Sequence, residues 1–458
     1  MDLPKDFTDL MRQQYGDEMA ENLFEGLSAE PCVSIRLNPK KSPLICPEGE
    51  TREGGINGDR LHLLNEATAV PWCPDAFYLS ERPAFTFDPL FHAGVYYVQE
   101  ASSMYLAEVL RKHLFAGDHV PPPGTALDLC AAPGGKSTLL RSVLPDAWLL
   151  VSNEPMPKRA QVLAENMIKW GYPNCVVTQN YPADFAPLVH QFDLLVTDVP
   201  CSGEGMFRKD EGAIRDWSLE NVDICWRRQR DILTDIWPTL RPGGLLVYST
   251  CTFNHLEDED NVEWIASHLG ADILEQRHFF PGRDAGEGFF IAALRKNDDS
   301  EITQSDTDPL KLTNKLRHAL HVLHDGIPAP TQKGASEHGK KNTSDYKGKN
   351  APRPGKQGTS VHGKKNDSVL IPSHTQAMST DHLADDTYPS CELTYQEALA
   401  YLRHEVLRIE APLGIVRVTF KGIPLGFVKN IGNRANNLYP QEWRIRTTYT
   451  TPFCLYDE

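Results

Sequence analysis

The order of apolar and polar positions divides this chain into parts with different repeat patterns. Through about residue 30, apolar residues recur at helical spacing, and a strand-like alternation follows at 33–38. From about residue 100 to residue 297, short apolar runs alternate with helical patterns. Six of these runs are predicted strands, at 126–130, 148–153, 175–178, 192–198, 244–248 and 289–294. Such alternation predicts an α/β domain whose mainly parallel sheet is covered by helices on both faces.

The pattern changes again after residue 297. Residues 331–367 contain almost no large apolar side chain and carry nine Lys or Arg against three Asp or Glu. A segment of this composition buries too little apolar area to offset its ordering entropy, so we expect it to be disordered. A tolerated surface insertion is favoured over an RNA-tethering arm. Regular structure is predicted to return near residue 390, with a helix at 395–407 and a pair of strands at 414–428.

Length and composition narrow the class of protein. A chain of 458 residues predicts two or three domains, and 40% hydrophobic residues suffice for globular cores. No apolar run reaches the roughly 18 residues of a membrane span, and the N-terminus lacks a secretory pattern, so we expect a soluble cytoplasmic protein without membrane association. A net charge of −16 argues against a surface that binds nucleic acid over its whole area, but it allows a local basic groove.

The ten cysteines include no C-x-x-C pair. This arrangement fits neither a disulfide framework nor the usual structural zinc spacing, so we expect reduced thiols and no metal. Cys130, Cys175 and Cys225 are predicted to be small buried side chains. Cys201 and Cys251 differ, because each follows a predicted strand in a turn rich in Gly, Ser, Thr or Pro, where an open α/β sheet binds its ligands.

A glycine turn at 131–137 connects the first strand of the sheet to a helix. A nucleotide-hydrolysing P-loop needs a glycine five residues before Gly135, but that position is Cys130, so this alternative is weaker. The turn also lets the backbone approach a cofactor at the helix N-terminus. Glu154, at the end of the next strand and 19 residues beyond Gly135, is placed to accept hydrogen bonds from a ribose diol. S-adenosylmethionine and a dinucleotide both satisfy these features.

Three segments at these positions resemble the signature motifs of the S-adenosylmethionine-dependent RNA cytosine-C5 methyltransferases. They are Asp-Leu-Cys-Ala-Ala-Pro-Gly-Gly-Lys at 128–136, Asp-Val-Pro-Cys-Ser-Gly-Glu-Gly at 198–205 and Ser-Thr-Cys-Thr at 249–252. The segment 426–446 is similar to the PUA-like tail of the bacterial branch that modifies 16S ribosomal RNA. The resemblance covers nearly the whole chain and implies four regions. These are an N-terminal RNA-binding α+β region at 1–100, a Rossmann-like methyltransferase domain at 101–297, a connecting region at 298–388 and a mostly β, PUA-like RNA-binding domain at 389–458.

The resemblance also implies a role for each polar residue of the motifs. Cys251 is implied as the nucleophile that attacks C6 of cytosine, Cys201 as the residue that assists release, and Asp198 as the hydrogen-bond partner of N3. The implied cofactor is S-adenosyl-L-methionine. Its implied binding residues are Cys130, Ala131, Ala132, Pro133, Gly134, Gly135, Lys136, Glu154, Asn180, Tyr181 and Asp198.

One position departs from the family pattern. Where the family has an Asp near the adenine, this chain has Tyr181. A phenol ring offers stacking or a hydrogen bond in place of a carboxylate. We therefore expect the adenine contact to come from Tyr181, Asn180 or Asp184.

The expected substrate is an unpaired or extruded cytosine in small-subunit ribosomal RNA, with transfer RNA as the alternative. An RNA-binding protein that has lost catalysis is a further alternative, which the presence of both thiols opposes. Phe207 or Trp217 is a possible wall of the base pocket, but such aromatic residues are more often part of a core. Candidate phosphate contacts are Arg36, Lys429, Arg434, Arg444 and Arg446. The sequence pattern shows no heptad or other obligate interface, so we expect a monomer.

Overall fold

Three β-sheets organise the part of the chain that the computed structural model describes. The described residues are 1–44, 67–115, 122–297, 309–326, 372–383, 387–447 and 453–454. The basic insertion predicted to be disordered, 331–367, lies outside these residues.

The N-terminal region combines helices with a small antiparallel sheet. Its elements are α1 (Lys5–Tyr15), α2 (Asp17–Ser28), β1 (Val33–Leu37), β2 (Thr68–Ala69), β3 (Ala76–Leu79), α3 (Pro89–His92) and β4 (Tyr96–Val98). The strands pair in the order β2-β3-β1-β4. In α1 and α2, residues such as Phe7 and Leu23 form one buried stripe, because apolar residues three and four positions apart share a helix face.

An eight-stranded mixed sheet forms the centre of the molecule. Its strands are β5 (Thr125–Asp128), β6 (Leu149–Asn153), β7 (Cys175–Thr178), β8 (Phe192–Asp198), β9 (Leu240–Thr250), β10 (Ala271–Phe279), β11 (Phe289–Lys296) and β12 (Val322–Asp325). They pair in the order β10-β11-β9-β8-β5-β6-β7-β12. The strands β7, β6, β5, β8 and β9 run parallel, and the outer three are antiparallel to their neighbours.

Helices cover both faces of this sheet. They are α4 (Leu106–His113), α5 (Gly135–Val143), α6 (Pro157–Trp170), α7 (Glu211–Asp216), α8 (Leu219–Ile236), α9 (Glu259–Trp264) and α10 (Pro309–Ala319). Ala126 and Val196 belong to the core on one face, and Leu127 and Leu195 to the core on the other, as the two-residue repeat of a strand requires. The chain leaves β5 for β6 on one side, and β8 lies on the other. The crevice beyond the ends of β5 and β8 is therefore where this topology binds ligands.

The C-terminal region forms a third sheet that shares a core with the first. Its elements are α11 (His374–Met378), β13 (Ser390–Glu392), α12 (Tyr395–Leu402), β14 (Gly414–Phe420), β15 (Ile423–Asn430) and β16 (Ala435–Asn437), and the strands pair in that order. Leu399, Val416 and Leu425 are buried in the same cluster as Ile35 of β1. The two terminal regions are therefore joined by one hydrophobic core.

The predicted fold class is confirmed: a central, mainly parallel α/β sheet lies between a small N-terminal α+β region and a mostly β C-terminal region. The central sheet, however, extends beyond residue 297. From the region predicted as a connection, β12 pairs with β7, and Leu312 and Leu316 of α10 are buried in the core of the sheet. The pattern did not reveal β12, because a four-residue edge strand carries little periodic signal.

Within the described ranges, every helix is too short or too polar to cross a bilayer. The longest of those named above, α8, has 18 residues and carries Arg227, Arg228 and Arg230.

Candidate active site

Two thiols meet where β8 and β9 end. These strands are parallel neighbours, and their register pairs Asp198 with Ser249. The chain leaves the sheet just beyond these residues, which brings Cys201 after β8 and Cys251 after β9 to the same edge. Their Sγ atoms lie 3.0 Å apart. The structure thus places the two predicted reactive cysteines in direct contact.

The two thiols have different surroundings. Cys251 lines a cavity of about 380 Å³, whereas Cys201 lies outside its lining and accepts the backbone N–H of Cys251 at 3.4 Å. The hydrogen bond with Cys251, together with burial, raises the pKa of Cys201 well above that of a free thiol. Cys201 is therefore a protonated thiol at neutral pH.

Asp198 connects the end of β9 to the glycine turn. One carboxylate oxygen lies 2.9 Å from Nζ of Lys136, and the other accepts a hydrogen bond of 2.8 Å from Oγ of Ser249. Burial by itself lowers the pKa of Lys136, but attraction to Asp198 outweighs burial, so the pKa of Lys136 is raised. Lys136 is therefore a fixed positive charge beside Asp198.

The glycine turn forms another wall of the same cavity. Its lining residues are Cys130, Ala131, Ala132, Pro133, Gly135 and Lys136. Gly134 lies outside the lining, at a φ of 116° where α5 begins. The turn is held by hydrogen bonds of 2.8 Å from the N–H of Ala131 to the carbonyl of Asn153 and from Nδ2 of Asn166 to the carbonyl of Pro133. It therefore places the N-terminus of α5 against the cavity.

Asp128 is a buried acid at the start of this turn whose role the sequence did not reveal. Its Oδ2 accepts a hydrogen bond of 2.6 Å from Oγ of Ser137, whereas its Oδ1 has no partner within the described residues. Burial raises the pKa of Asp128 to about 7. Because a buried polar atom without a partner is rare, this oxygen is a candidate acceptor for a ligand, although Asp128 itself lies outside the cavity lining.

The residues predicted to contact the nucleoside lie at the ends of β6 and β7, outside the cavity lining. Glu154 is buried at the end of β6. The side chain of Asn180 exchanges two hydrogen bonds, of 3.2 and 3.0 Å, with the backbone of His321. Tyr181 is 64% exposed, and its N–H donates to Asp184 at 2.8 Å. The amide of Asn180 is thus bound to the backbone just before β12. The Tyr181 ring is the exposed side chain after β7.

The N-terminal region supplies a wall of the cavity that the sequence analysis missed. Tyr97, Gln99 and Glu100, at the end of β4, line it, and so do Glu287 and Phe289 near the start of β11. Oε1 of Glu100 accepts the N–H of Glu287 at 2.9 Å, which joins the two sides. Gln99 and Glu100 are two adjacent polar residues that follow a strand, a pattern that the sequence shows. Their position beside the glycine turn and the cysteines depends on long-range packing, which the sequence does not show.

Arg36 is not a phosphate contact, contrary to the prediction. Its buried guanidinium donates to Oε1 of Gln99 at 3.0 Å and to Oγ1 of Thr138 at 2.6 Å. It also lies 4.6 Å from the centre of the Trp170 ring. Burial lowers the pKa of Arg36 to about 10, so the group stays charged at neutral pH. Arg36 joins β1 to α5 and α6 instead of meeting RNA.

Replacing Arg36 with methionine is expected to lower the free energy of unfolding by about 3 kcal/mol, because buried acceptors lose their donor. RNA binding should keep the salt dependence of the wild type, since a buried guanidinium displaces no counterions. Urea unfolding and RNA binding at several salt concentrations measure both effects. Arg434→Met, at an exposed position, is the matched control. It should leave the free energy of unfolding unchanged and make the salt dependence of RNA binding shallower. A shallower salt dependence in Arg36→Met would restore Arg36 as a phosphate contact.

Phe207 and Trp217 lie in a hydrophobic core, the commoner of the two expected environments, and not at the base pocket. Both rings are buried against α1, with ring centres 5.0 and 5.6 Å from that of Phe7. Phe253 and Phe280 complete the cluster. These aromatic residues support the thiol loops from behind.

An acid–imidazole group lies behind β9. Ligand-type atoms of Asp258, Glu259 and His278 are within 4.8 Å of one another. Nε2 of His278 already pairs with Oε1 of Glu259 at 2.8 Å, and Oδ1 of Asp258 accepts the hydroxyl of Thr250 at 2.5 Å. None of the three lines the cavity described above. We infer that the three residues stabilise β9, the strand that precedes Cys251.

Comparisons with known proteins agree with this geometry. A family model described as 16S rRNA methyltransferase RsmB/F matches residues 121–295. Models for the N-terminal domain of 16S rRNA methyltransferase RsmF and for the methyltransferase RsmF PUA domain match 3–101 and 388–445. Ribosomal RNA small subunit methyltransferase F of Cronobacter sakazakii is 30% identical over 96% of this chain and 96% of its own. The protein of the same name from Klebsiella pneumoniae is 32% identical over 82% of this chain and 84% of its own.

A solved structure shares the fold. NSun6 from Pyrococcus horikoshii, determined with an analogue of S-adenosylmethionine, has a TM-score of 0.51 and 20% identity, over 65% of this chain and 99% of that chain. The resemblance predicted from the three motifs and the C-terminal segment is confirmed by these matches. The chain, with its paired thiols at the ends of β8 and β9, belongs to the ribosomal RNA small subunit methyltransferase F family.

Proposed function

We propose that this protein transfers a methyl group from S-adenosylmethionine to carbon 5 of a cytosine in 16S ribosomal RNA. The observation that carries the proposal is the contact between Cys201 and Cys251, whose Sγ atoms lie 3.0 Å apart beside a cavity walled by the glycine turn and Asp198. The names of the relatives favour small-subunit ribosomal RNA over transfer RNA. Membership of this family excludes the P-loop hydrolase alternative.

The residues around the glycine turn fit S-adenosylmethionine. When bound, this cofactor supplies an electrophilic methyl group on a sulfonium ion. The free Oδ1 of Asp128 and the carboxylate of Glu154 follow one another at the ends of the adjacent strands β5 and β6. They offer acceptors for ammonium and ribose hydroxyl groups. The N-terminus of α5, at Gly135, favours a carboxylate.

Glu154→Gln is expected to raise the dissociation constant for S-adenosylmethionine about tenfold, or about 1.4 kcal/mol, because an amide accepts hydrogen bonds from a diol less strongly than a carboxylate. Titration calorimetry without RNA measures this change. Glu275→Gln is the matched control, since Glu275 lies on β10, pairs with Lys112 of α4 and is outside the cavity lining. Equal affinity in the wild type and Glu154→Gln would remove Glu154 from the cofactor site.

Cys251 and Asp198 act on the base in the first step. Carbon 5 of cytosine is a poor nucleophile, and attack of the Cys251 thiolate on C6 breaks the conjugation of the ring and concentrates electron density at C5. N3 takes up the proton that the Cys251 thiol gives up, and the Asp198 carboxylate accepts a hydrogen bond from the protonated N3, which stabilises the charge that develops there. Lys136, 2.9 Å from Asp198, keeps the carboxylate in position. The electron pair at C5 would then form the new bond to the methyl group, and the sulfonium sulfur would leave with the electron pair of the bond that breaks.

Cys201 acts in the second step. While Cys251 carries charge, its contact with Cys201 holds the pKa of Cys201 high. Once Cys251 has become an uncharged thioether on C6, its charge no longer raises the pKa of Cys201, and Cys201 gives up its proton more readily. Cys201 passes its own proton to the departing sulfur of Cys251, 3.0 Å away, and takes the C5 proton as the C5–C6 double bond reforms and the Cys251–C6 bond breaks. The contact between the thiols thus orders the two steps.

Transfer of labelled methyl groups tests the proposal. Small ribosomal subunits, 16S ribosomal RNA and transfer RNA from cells that lack this protein are incubated with it and methyl-labelled S-adenosylmethionine. The expected product is 5-methylcytosine in 16S ribosomal RNA, free or in the subunit. Label in transfer RNA alone would show that transfer RNA, and not 16S ribosomal RNA, is the substrate. Absence of label from all three RNAs would overturn the proposal.

We further infer that the protein works in the cytoplasm as a monomer and that its C-terminal region contacts RNA phosphates. Arg434, Arg444 and Arg446 are exposed there, which supports this role. Light scattering of the free protein and of its RNA complex measures the stoichiometry.

A further inference from the structure

We propose that Glu204 is a positioning residue that holds the loop of Cys201 against the loop of Cys251, so that the adduct on Cys251 is released. The inference rests on the proposed function, because it concerns the second step of that reaction. Glu204 lies three residues after Cys201 and is fully buried. It does not line the cavity, so its effect on catalysis is exerted through the backbone of the two loops.

The carboxylate of Glu204 gathers donors from the loop that follows Cys251. Its Oε2 accepts the hydroxyl of Thr252 at 2.5 Å, the N–H of Phe253 at 2.7 Å and the N–H of Asn254 at 3.1 Å. Its Oε1 accepts Nε1 of Trp217 at 3.0 Å and Nδ2 of Asn254 at 2.9 Å. Five donors on a buried carboxylate form an arrangement that a neutral side chain cannot reproduce.

Direct contacts between the two loops depend on this arrangement. The N–H of Gly205 donates to the carbonyl of Cys251 at 2.9 Å, and the hydroxyls of Ser202 and Thr252 lie 3.1 Å apart. A Cβ at Gly205 would lie 3.0 Å from the carbonyl oxygen of Cys251, so the two loops meet at backbone distance. Glu204 thus anchors the residues on either side of the thiol contact.

A second buried carboxylate, Glu257, holds the other side of the Cys201 loop. It accepts the N–H of Ser202 at 3.0 Å and Nε2 of Gln229 at 2.7 Å, and Gln229 also donates to the carbonyl of Pro200 at 3.0 Å. Burial, followed by the nearby charge of Glu204, raises the pKa of Glu257 to about 7. The two acids share Asn254 as a donor, at 2.9 and 2.8 Å. Cys201 therefore sits between two fixed attachment points.

This arrangement affects the two chemical steps differently. Attack on C6 needs Cys251 at the cavity, whereas proton removal from C5 also needs Cys201 at its present distance from Cys251. Glutamine at position 204 keeps the volume of the side chain but turns an –NH₂ group towards backbone N–H donors. The Cys201 loop then loses its register with the Cys251 loop, so release slows more than attack.

The test compares Glu204→Gln with the wild type in single-turnover and steady-state methylation of the small-subunit RNA substrate. The expected result is a kcat lower by about 10- to 100-fold, the range that a misplacement of about 1 Å costs, with an unchanged dissociation constant for S-adenosylmethionine. A denaturant-stable protein–RNA adduct should accumulate during turnover. Thr252→Val, which removes one hydroxyl donor to Glu204, should change both quantities in the same direction by less. Glu275→Gln is the control and should show neither change.

The accumulation of adduct separates positioning from a general structural role. Wild-type kcat in Glu204→Gln, or a lower kcat without adduct, would overturn the proposal. If Glu204→Gln does not fold, Thr252→Val decides the matter by the same two readouts. Failure of the wild type to methylate RNA would instead refute the proposed function, so the two failures are distinguishable.

Discussion

Replacing Cys251 with alanine is expected to lower methyl transfer by at least about 10⁴-fold, because the bond from Cys251 to C6 is what makes C5 nucleophilic. The substitution removes one sulfur atom at the surface of a cavity, so the free energy of unfolding should change by less than about 1 kcal/mol. Binding of S-adenosylmethionine should be unchanged. Labelled methyl transfer, urea unfolding and calorimetry measure the three quantities.

The matched control for this variant is Cys225→Ala. Cys225 is a buried thiol on α8 that lies outside the cavity lining, and its replacement should leave the rate of transfer near that of the wild type. Wild-type activity in Cys251→Ala would show that another group attacks the base. Because Cys201 is the nearest thiol, the double variant would then identify it.

Cys201→Ala is expected to trap the covalent adduct between Cys251 and the RNA. Attack and methyl transfer proceed without Cys201, but the C5 proton has no nearby base, so the C6–S bond persists. The variant incubated with S-adenosylmethionine and cellular RNA should give a protein–RNA band that survives denaturant. Sequencing the trapped RNA then identifies the substrate and the modified cytosine.

Addition of Cys251→Ala to this variant is the control, and the band should disappear. A band that persists in the double variant would place the adduct on another residue. Absence of a band from Cys201→Ala, with the wild type still active, would show that release does not depend on Cys201. The Glu204→Gln variant should give a weaker band than Cys201→Ala, because its base is displaced rather than removed.

Much of the central sheet was predictable because its strands are local features. The strands β7 and β8 have the predicted bounds, Cys175–Thr178 and Phe192–Asp198. Each is buried along almost its whole length, and its middle reads as a short apolar run, Val176–Val177 in β7 and Leu194–Val196 in β8. The edge strands β10 and β12 were missed, because partial exposure leaves polar residues in the run and weakens the periodicity.

The side chains whose environment the sequence could not decide are those that pack against distant parts of the chain. Arg36 reads as a surface charge, but its strand packs on α5 and α6, so the guanidinium bonds to Gln99 and Thr138. Phe207 and Trp217 follow a reactive motif, but α1 covers them. In each case the deciding contact joins residues far apart in the chain.

The sequence alone predicted the family, the order of the regions and the pair of candidate thiols, because each motif is short and contiguous. Only the tertiary structure decided that the Sγ atoms of Cys201 and Cys251 meet at 3.0 Å, and that Glu204 holds their loops together. It also showed that the N-terminal region walls the cavity through Gln99 and Glu100. The physical reason is that distance and burial arise from packing between segments far apart in the chain, which local patterns do not encode.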